Sequence, residues 1–252
     1  MFKKIFNLTL CSIIFFITSI NYAYSFSIAG KLSIEGIKKL AALGKTTGSK
    51  SVGQELRRLS KGLSVDEEKV FLTSSYLKIL VEQGRLGARE SEEFLQHLKN
   101  VPGFKEALSK MCGISDAKAI GHGFEVRTAN SLAKKGYEIK GIGVQFKDGI
   151  KSAPTDIDII AEKGGKQFIF ELKKYSSNNI DYNALINFRG DMQSLNAYVK
   201  QHKNVKSFFV ISSQPTDPAI QKLLEATAKS QNVKLLSDVD SNTIPSLLES
   251  LK

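Results

Sequence analysis

Two short apolar runs carry charged residues at their ends. The first is Pro154-Thr155-Asp156-Ile157-Asp158-Ile159-Ile160 and the second is Gln167-Phe168-Ile169-Phe170-Glu171-Leu172-Lys173, with Glu162-Lys163-Gly164-Gly165-Lys166 between them. The Gly-Gly pair and its polar flanks are the signature of a tight hairpin, so the two runs are expected to pair as antiparallel strands. Alternation along the second run sends Ile169, Glu171 and Lys173 to one face and Phe168, Phe170 and Leu172 to the other, while Asp156 and Asp158 share a face in the first. Carboxylates brought together on neighbouring strands, with a lysine beside them, suit a divalent ion bound to a phosphate. Hydrolysing a phosphodiester adds hydroxide to an anion, so a catalyst must neutralise charge, activate water and stabilise the departing oxygen. Magnesium supplies all three, takes oxygen ligands and keeps several waters, and needs neither histidine nor thiolate.

The tripeptides themselves decide nothing. Glu-x-Lys also occurs at Glu67 to Lys69 and at Glu138 to Lys140, and a second Asp-x-Asp lies at Asp238 to Asp240. What singles out Asp158 and Glu171 is the order of elements around them: a helix carrying Glu125, a strand, a strand with the Asp-x-Asp, a hairpin, a strand ending in Glu-x-Lys, then a helix. In that order the chain resembles the PD-(D/E)xK nuclease superfamily, the restriction-endonuclease-like fold, over about residues 121–240. The resemblance implies an α/β fold, a mixed sheet flanked by helices with an αβββαβ core, preceded here by an all-α region. It implies Asp158 as the central metal ligand, Glu171 as the second, and the Leu172 carbonyl as a candidate third. Lys173 would orient the attacking water and offset charge developing at phosphorus. Glu125 matches the acid that many members place beside the metal, as a ligand or as acceptor of the water's proton. Mg2+ is the expected cofactor, with Mn2+ able to replace it.

Four further residues are candidate nucleic-acid contacts: Gln193, Arg189, Lys174 and His122. Some nucleases of this type carry Gln, and Tyr four residues on, in the helix after Glu-x-Lys. Here Gln193 is followed by Ala197, with Tyr198 one place late, and that departure leaves Gln193 and Arg189 as contacts only. His122 precedes Glu125 by three residues and reads as a loop histidine near its face. Of the two acids in the Asp-x-Asp, Asp156 reads as the bystander, although Pro154-Thr155-Asp156 leaves that choice open.

These residues need elements to position them. Residues 26–116 read as helices. Ile34, Ile37, Leu40 and Ala41 fall at helical spacing, and the polar stretch from Gly44 to Gly53 should end that helix. Ser64-Val65-Asp66-Glu67 is a capping box that opens a helix stopping at Gly84. Pro102 stands as a first-turn proline before Met111, and His97 lies on a polar helix, where it should be solvated. From Gly121 a helix runs through Ala133 to a stop at Gly136. Strands follow at about 137–146, 155–161 and 167–173, a helix at 183–201, a buried strand at 205–211, a helix opened by Asp217-Pro218, and a last strand and helix at 233–236 and 244–251. Strands interleaved with helices make residues 117–252 an α/β domain. That order is a complete core, so residues from about 117 onward are expected to fold alone.

Residues 1–25 read as a secretory signal peptide. Lys3 and Lys4 form the basic end, Ile5 to Ile20 is mostly apolar, and Ala23-Tyr24-Ser25 is a small-x-small cleavage site. The protein is thus expected to be exported, to the periplasm or beyond, with no integral membrane association after cleavage. Cleavage removes Cys11 and leaves Cys112, so neither an intramolecular disulfide nor a cysteine zinc site can form. The net charge of +11, less Lys3 and Lys4, leaves +9. A basic exported chain favours anionic partners, nucleic acid or an anionic membrane surface, and the charge does not choose between them. With the chemistry above, the expectation is an exported Mg2+-dependent endonuclease with DNA favoured as substrate. An RNA-directed toxin nuclease and a catalytically inactive nucleic-acid-binding module are the other readings, and an inhibitor or immunity protein is a further candidate partner.

Overall fold

The structure is a computed structural model, and it describes residues 32–149, 154–176 and 179–250. Residues 1–25, read above as a signal peptide, lie outside the described residues. No helix among those described is long and apolar enough to cross a membrane.

Among the described residues six helices come first: α1 (Ile34–Thr47), α2 (Ser49–Leu59), α3 (Val65–Glu82), α4 (Ala88–Leu98), α5 (Phe104–Met111) and α6 (Asp116–Lys134). Their ends follow local chemistry. Ser64 and Glu67 form the reciprocal capping box of α3, and Ser115 caps α6 through the Lys118 amide. Three expectations change. The polar stretch after Gly44 is helical except at Gly48, whose φ of 94° turns the chain between α1 and α2, because Val52 and Leu56 give α2 a buried face of its own. Pro102 precedes α5 rather than opening it: Gly103 is the N-cap, and the Pro102 carbonyl accepts the Ile142 amide. His97 is half-buried and bonds Asn130 at 2.8 Å, tying α4 to α6.

The remaining elements are β1 (Glu138–Phe146), β2 (Thr155–Lys163), β3 (Lys166–Lys173), α7 (Tyr182–Gln201), β4 (Val205–Ile211), α8 (Pro218–Ser230), β5 (Lys234–Ser237) and α9 (Ile244–Ser250). They build a five-stranded mixed sheet in the order β1-β2-β3-β4-β5, antiparallel from β1 to β3 and parallel from β3 to β5. Lys163 pairs with Lys166 around Gly164 and Gly165, both at positive φ as a two-residue hairpin of this kind requires. The αβββαβ order expected from the sequence is therefore present.

The two faces of the sheet are covered differently. Ile169, Phe209 and Ile211 pack against Phe188, Met192 and Leu195 of α7 and Leu224 of α8. Phe168, Phe170, Leu172, Phe208 and Val210 belong to a second cluster. It runs through Phe124, Val126 and Leu132 of α6 into Phe94, Phe104, Leu108 and Met111, and on to Leu56, Phe71 and Leu80. The first five helices thus share a core with the α/β half instead of forming a separate one. Apolar periodicity shows which face of α6 is buried but not how many partners cover it, and α6 is covered by the sheet on one side and by α4 and α5 on another. Polar ties reinforce the seam: Arg127 pairs with Glu90, Lys134 with Glu93, and Arg85 donates to the Met111 and Gly113 carbonyls and to Asp116.

Candidate functional site

The site forms where two paired strands part. The β2 and β3 ladder runs from Lys163 and Lys166 to Ile159 and Phe170. Just past that last pair, the Asp158 side chain accepts the Leu172 amide at Oδ2, 2.7 Å away. A side chain has taken the amide that a continued ladder would have given to a backbone carbonyl. Asp158 is thereby pinned against β3, with Glu171 and Lys173 on either side of the amide it holds.

Glu171 is buried, and its Oε1 lies 2.6 Å from Lys173 Nζ. The same ammonium reaches Asp191 Oδ2 on α7 at 2.9 Å. Glu125 stands on α6, nearly buried, with Oε1 2.9 Å from His122 Nδ1. His122 is in helix α6 and not in a loop, since the helix begins at Asp116 and continues through Gly121 and Gly123.

Burial and neighbouring charge together explain how these groups titrate. Burial, then the Glu171 and Glu125 charges, push the Asp158 carboxyl well above the usual carboxylate range, against the opposing pull of Lys173 and the Leu172 amide. Burial also drives Glu171 up to about 7; Lys173 pulls the other way, and Asp191 and Glu125 add to the rise. Burial works against the Lys173 ammonium, but Glu171, Asp191 and Asp158 outweigh it and raise its pKa above the ordinary lysine value. One ammonium is thus set among four acids, an arrangement with more negative charge than it can offset.

A hard cation fits this donor set. Among the described residues no three His, Cys, Asp or Glu side chains converge as a ready-made cage. A cage is not what magnesium needs, since it keeps several waters and binds through one or two carboxylates plus substrate oxygens. Asp158 and Glu171 offer oxygen ligands alone, and a nearby cation would relieve both the cost of burying their charge and the acid–acid repulsion that adds to it.

The other expected contacts divide. Lys174 is exposed at the rim, its Nζ 5.5 Å from the centre of the Phe124 ring beside Glu125. Arg189 and Gln193 each lie two residues from Asp191, about 200° around α7, so the structure puts them on the far side of the helix from Lys173. Asp156 is exposed and paired with Gln145 near the start of β2. Asp191 is the residue that sequence reasoning missed. It carried a readable signal: an acid three residues after Phe188 and four before Leu195, on the apolar side of an amphipathic helix, where a carboxylate needs a partner.

A family model described as restriction endonuclease, Mrr_cat, matches residues 117–242, half of the chain. The match takes in α6 from its second residue, the whole sheet and every residue of the cluster. No curated protein matches the chain.

Proposed function

The chain belongs to the restriction endonuclease family, one of the PD-(D/E)xK nucleases and so a family acting on nucleic acid, and from that premise we propose a divalent-metal-dependent endonuclease that prefers DNA. The observation that carries this is the convergence of Asp158, Glu171 and Lys173 at the parted end of β2 and β3, with Glu125 facing them from α6.

Asp158 and Glu171 would hold the cation. Mg2+ or Mn2+, when bound, supplies Lewis-acid polarisation of the phosphate and a water acidified toward hydroxide. The residues do the rest. Asp158 fixes the site relative to β3 because its other bond is to the Leu172 amide. The Lys173 ammonium stabilises negative charge on the phosphorane oxygens, where a preorganised charge matters most. Glu125, oriented by His122, takes the proton from the attacking water, and Lys174 at the rim draws the phosphate backbone. The preference for DNA rests on the family's description as restriction endonuclease. Export rests on residues 1–25, and N-terminal sequencing of exported material should find a chain starting near Phe26.

Purified protein incubated with plasmid, linear DNA and RNA tests the reading. With Mg2+, plasmid should be nicked and linearised; with chelator it should stay supercoiled. RNA cut in preference to DNA would overturn the substrate, and equal cleavage in chelator, or none under any condition, would overturn the mechanism.

A further inference from the structure

Lys173 stands between two carboxylates that cannot have the same duty. Glu171 is on its own strand, two residues back, and faces Asp158. Asp191 comes from α7, with its Oδ2 2.9 Å from the same ammonium, and is followed by the fully buried Met192, so its helix is firmly seated on the sheet. A cation held by Glu171 would share that carboxylate with the Lys173 ammonium, which sits 2.6 Å from its Oε1. An ammonium and a divalent ion on one carboxylate repel each other strongly in a partly dry site, so Lys173 must withdraw from Glu171 when that acid takes a cation. Without another anchor it would either keep Glu171 or swing into solvent, and in both cases it would be lost to the phosphate.

We propose that Asp191 is a positioning residue, which keeps Lys173 beside the phosphate by taking over its ammonium when Glu171 turns to the metal. The inference rests on Asp158 and Glu171 being the cation ligands. Folding alone gives little reason for Asp191 to be there: it is a fourth acid next to an excess of acids, and its charge is among those that push Glu171 upward. A neutral side chain of the same shape would relieve that repulsion. What only a carboxylate at this place provides is a second anion within salt-bridge distance of Lys173, at 2.9 Å, carried by a different element from Glu171.

The test is Mn2+ binding to the full chain by calorimetry, without nucleic acid, for the parent, D191N, D191E, K173M and the double variant D191N/K173M, with a melting curve for each. D191N should weaken Mn2+ binding about tenfold, because Lys173 then competes for Glu171; once K173M has removed the competitor, the same change should cost about threefold or less. D191E should restore binding. In single-turnover cleavage D191N should lower the rate while leaving the affinity for DNA in chelator unchanged. An equal loss in both backgrounds would show Asp191 acting on the cation directly, as a ligand or a bare charge, and would overturn the proposal, as would a D191N variant that binds like the parent. A parent that binds no Mn2+ would instead overturn the cation site on which the proposal depends.

Discussion

At the scale of single residues the cluster is built against its own stability, and that separates a site from a structural ion pair. Asp158→Asn keeps an oxygen to accept the Leu172 amide and removes one of the repelling charges. It should abolish cleavage and leave the melting temperature unchanged or higher. Lys173→Ala leaves Glu171 and Asp191 without their shared cation. It should cost about 2 kcal/mol of stability, below the figure for a fully buried pair, and slow cleavage on the order of 100-fold to 1000-fold. A simple ion pair would make both variants melt early and neither would lose activity in the folded fraction. The pH dependence has a definite sign. Glu171 rises from 4.5 to about 7 on folding, so the folded chain holds more protons than the unfolded one in that interval. The contribution is fully present below pH 4.5 and is lost as pH rises through about 7. Thermal melts in chelator should therefore show stability falling between those values, and Glu171→Gln should flatten that slope.

Elements were largely legible because their signals are local. The Gly164-Gly165 hairpin, the Ser64 and Glu67 capping box and the Asp217-Pro218 start of α8 each need only a few neighbouring residues to specify them. Asp158, Glu171 and Lys173 could be brought together from the sequence because a hairpin joins their strands. The position of Asp191 depends on how α7 lies across the sheet, and the parting of β2 from β3 depends on a side chain replacing a backbone partner; neither leaves a periodic trace. The same limit applies to Gly103, unremarkable in sequence. Its φ is 82°, and a Cβ there would stand 1.8 Å from the Ile142 carbonyl oxygen of β1, so α5 and β1 touch backbone to backbone. Gly103→Ala should cost roughly 2 to 5 kcal/mol, from left-handed strain plus overpacking. Gly84 also has positive φ, 71°, but nothing within 4 Å of its missing Cβ. Gly84→Ala should cost only about 1 to 2 kcal/mol, and chemical denaturation of the two variants isolates the close contact.

For the whole molecule, the question is whether the matched half can stand without the helices before it. The element order from residue 117 onward describes a complete αβββαβ unit, and by topology alone it should fold. Packing argues otherwise. Phe124, Val126, Ala129 and Leu132 of α6 are buried in the cluster that contains Phe94, Phe104, Leu108 and Met111, and removing residues 1–116 would expose the apolar surface that these side chains cover. At about 1.5 to 3 kcal/mol for each fully buried apolar side chain, uncovering Phe124, Val126 and Leu132 would remove a large share of the roughly 5 to 15 kcal/mol margin of an ordinary domain. Arg127, Lys134 and Asn130 would also lose Glu90, Glu93 and His97. A fragment of residues 117–252 is therefore expected to aggregate or to melt without cooperativity, and to be rescued when residues 32–116 are co-expressed with it. The full chain should melt in one transition. A fragment that melts cooperatively near the temperature of the full chain would show that the sheet and α6 suffice, and that the first five helices serve the substrate and not the fold.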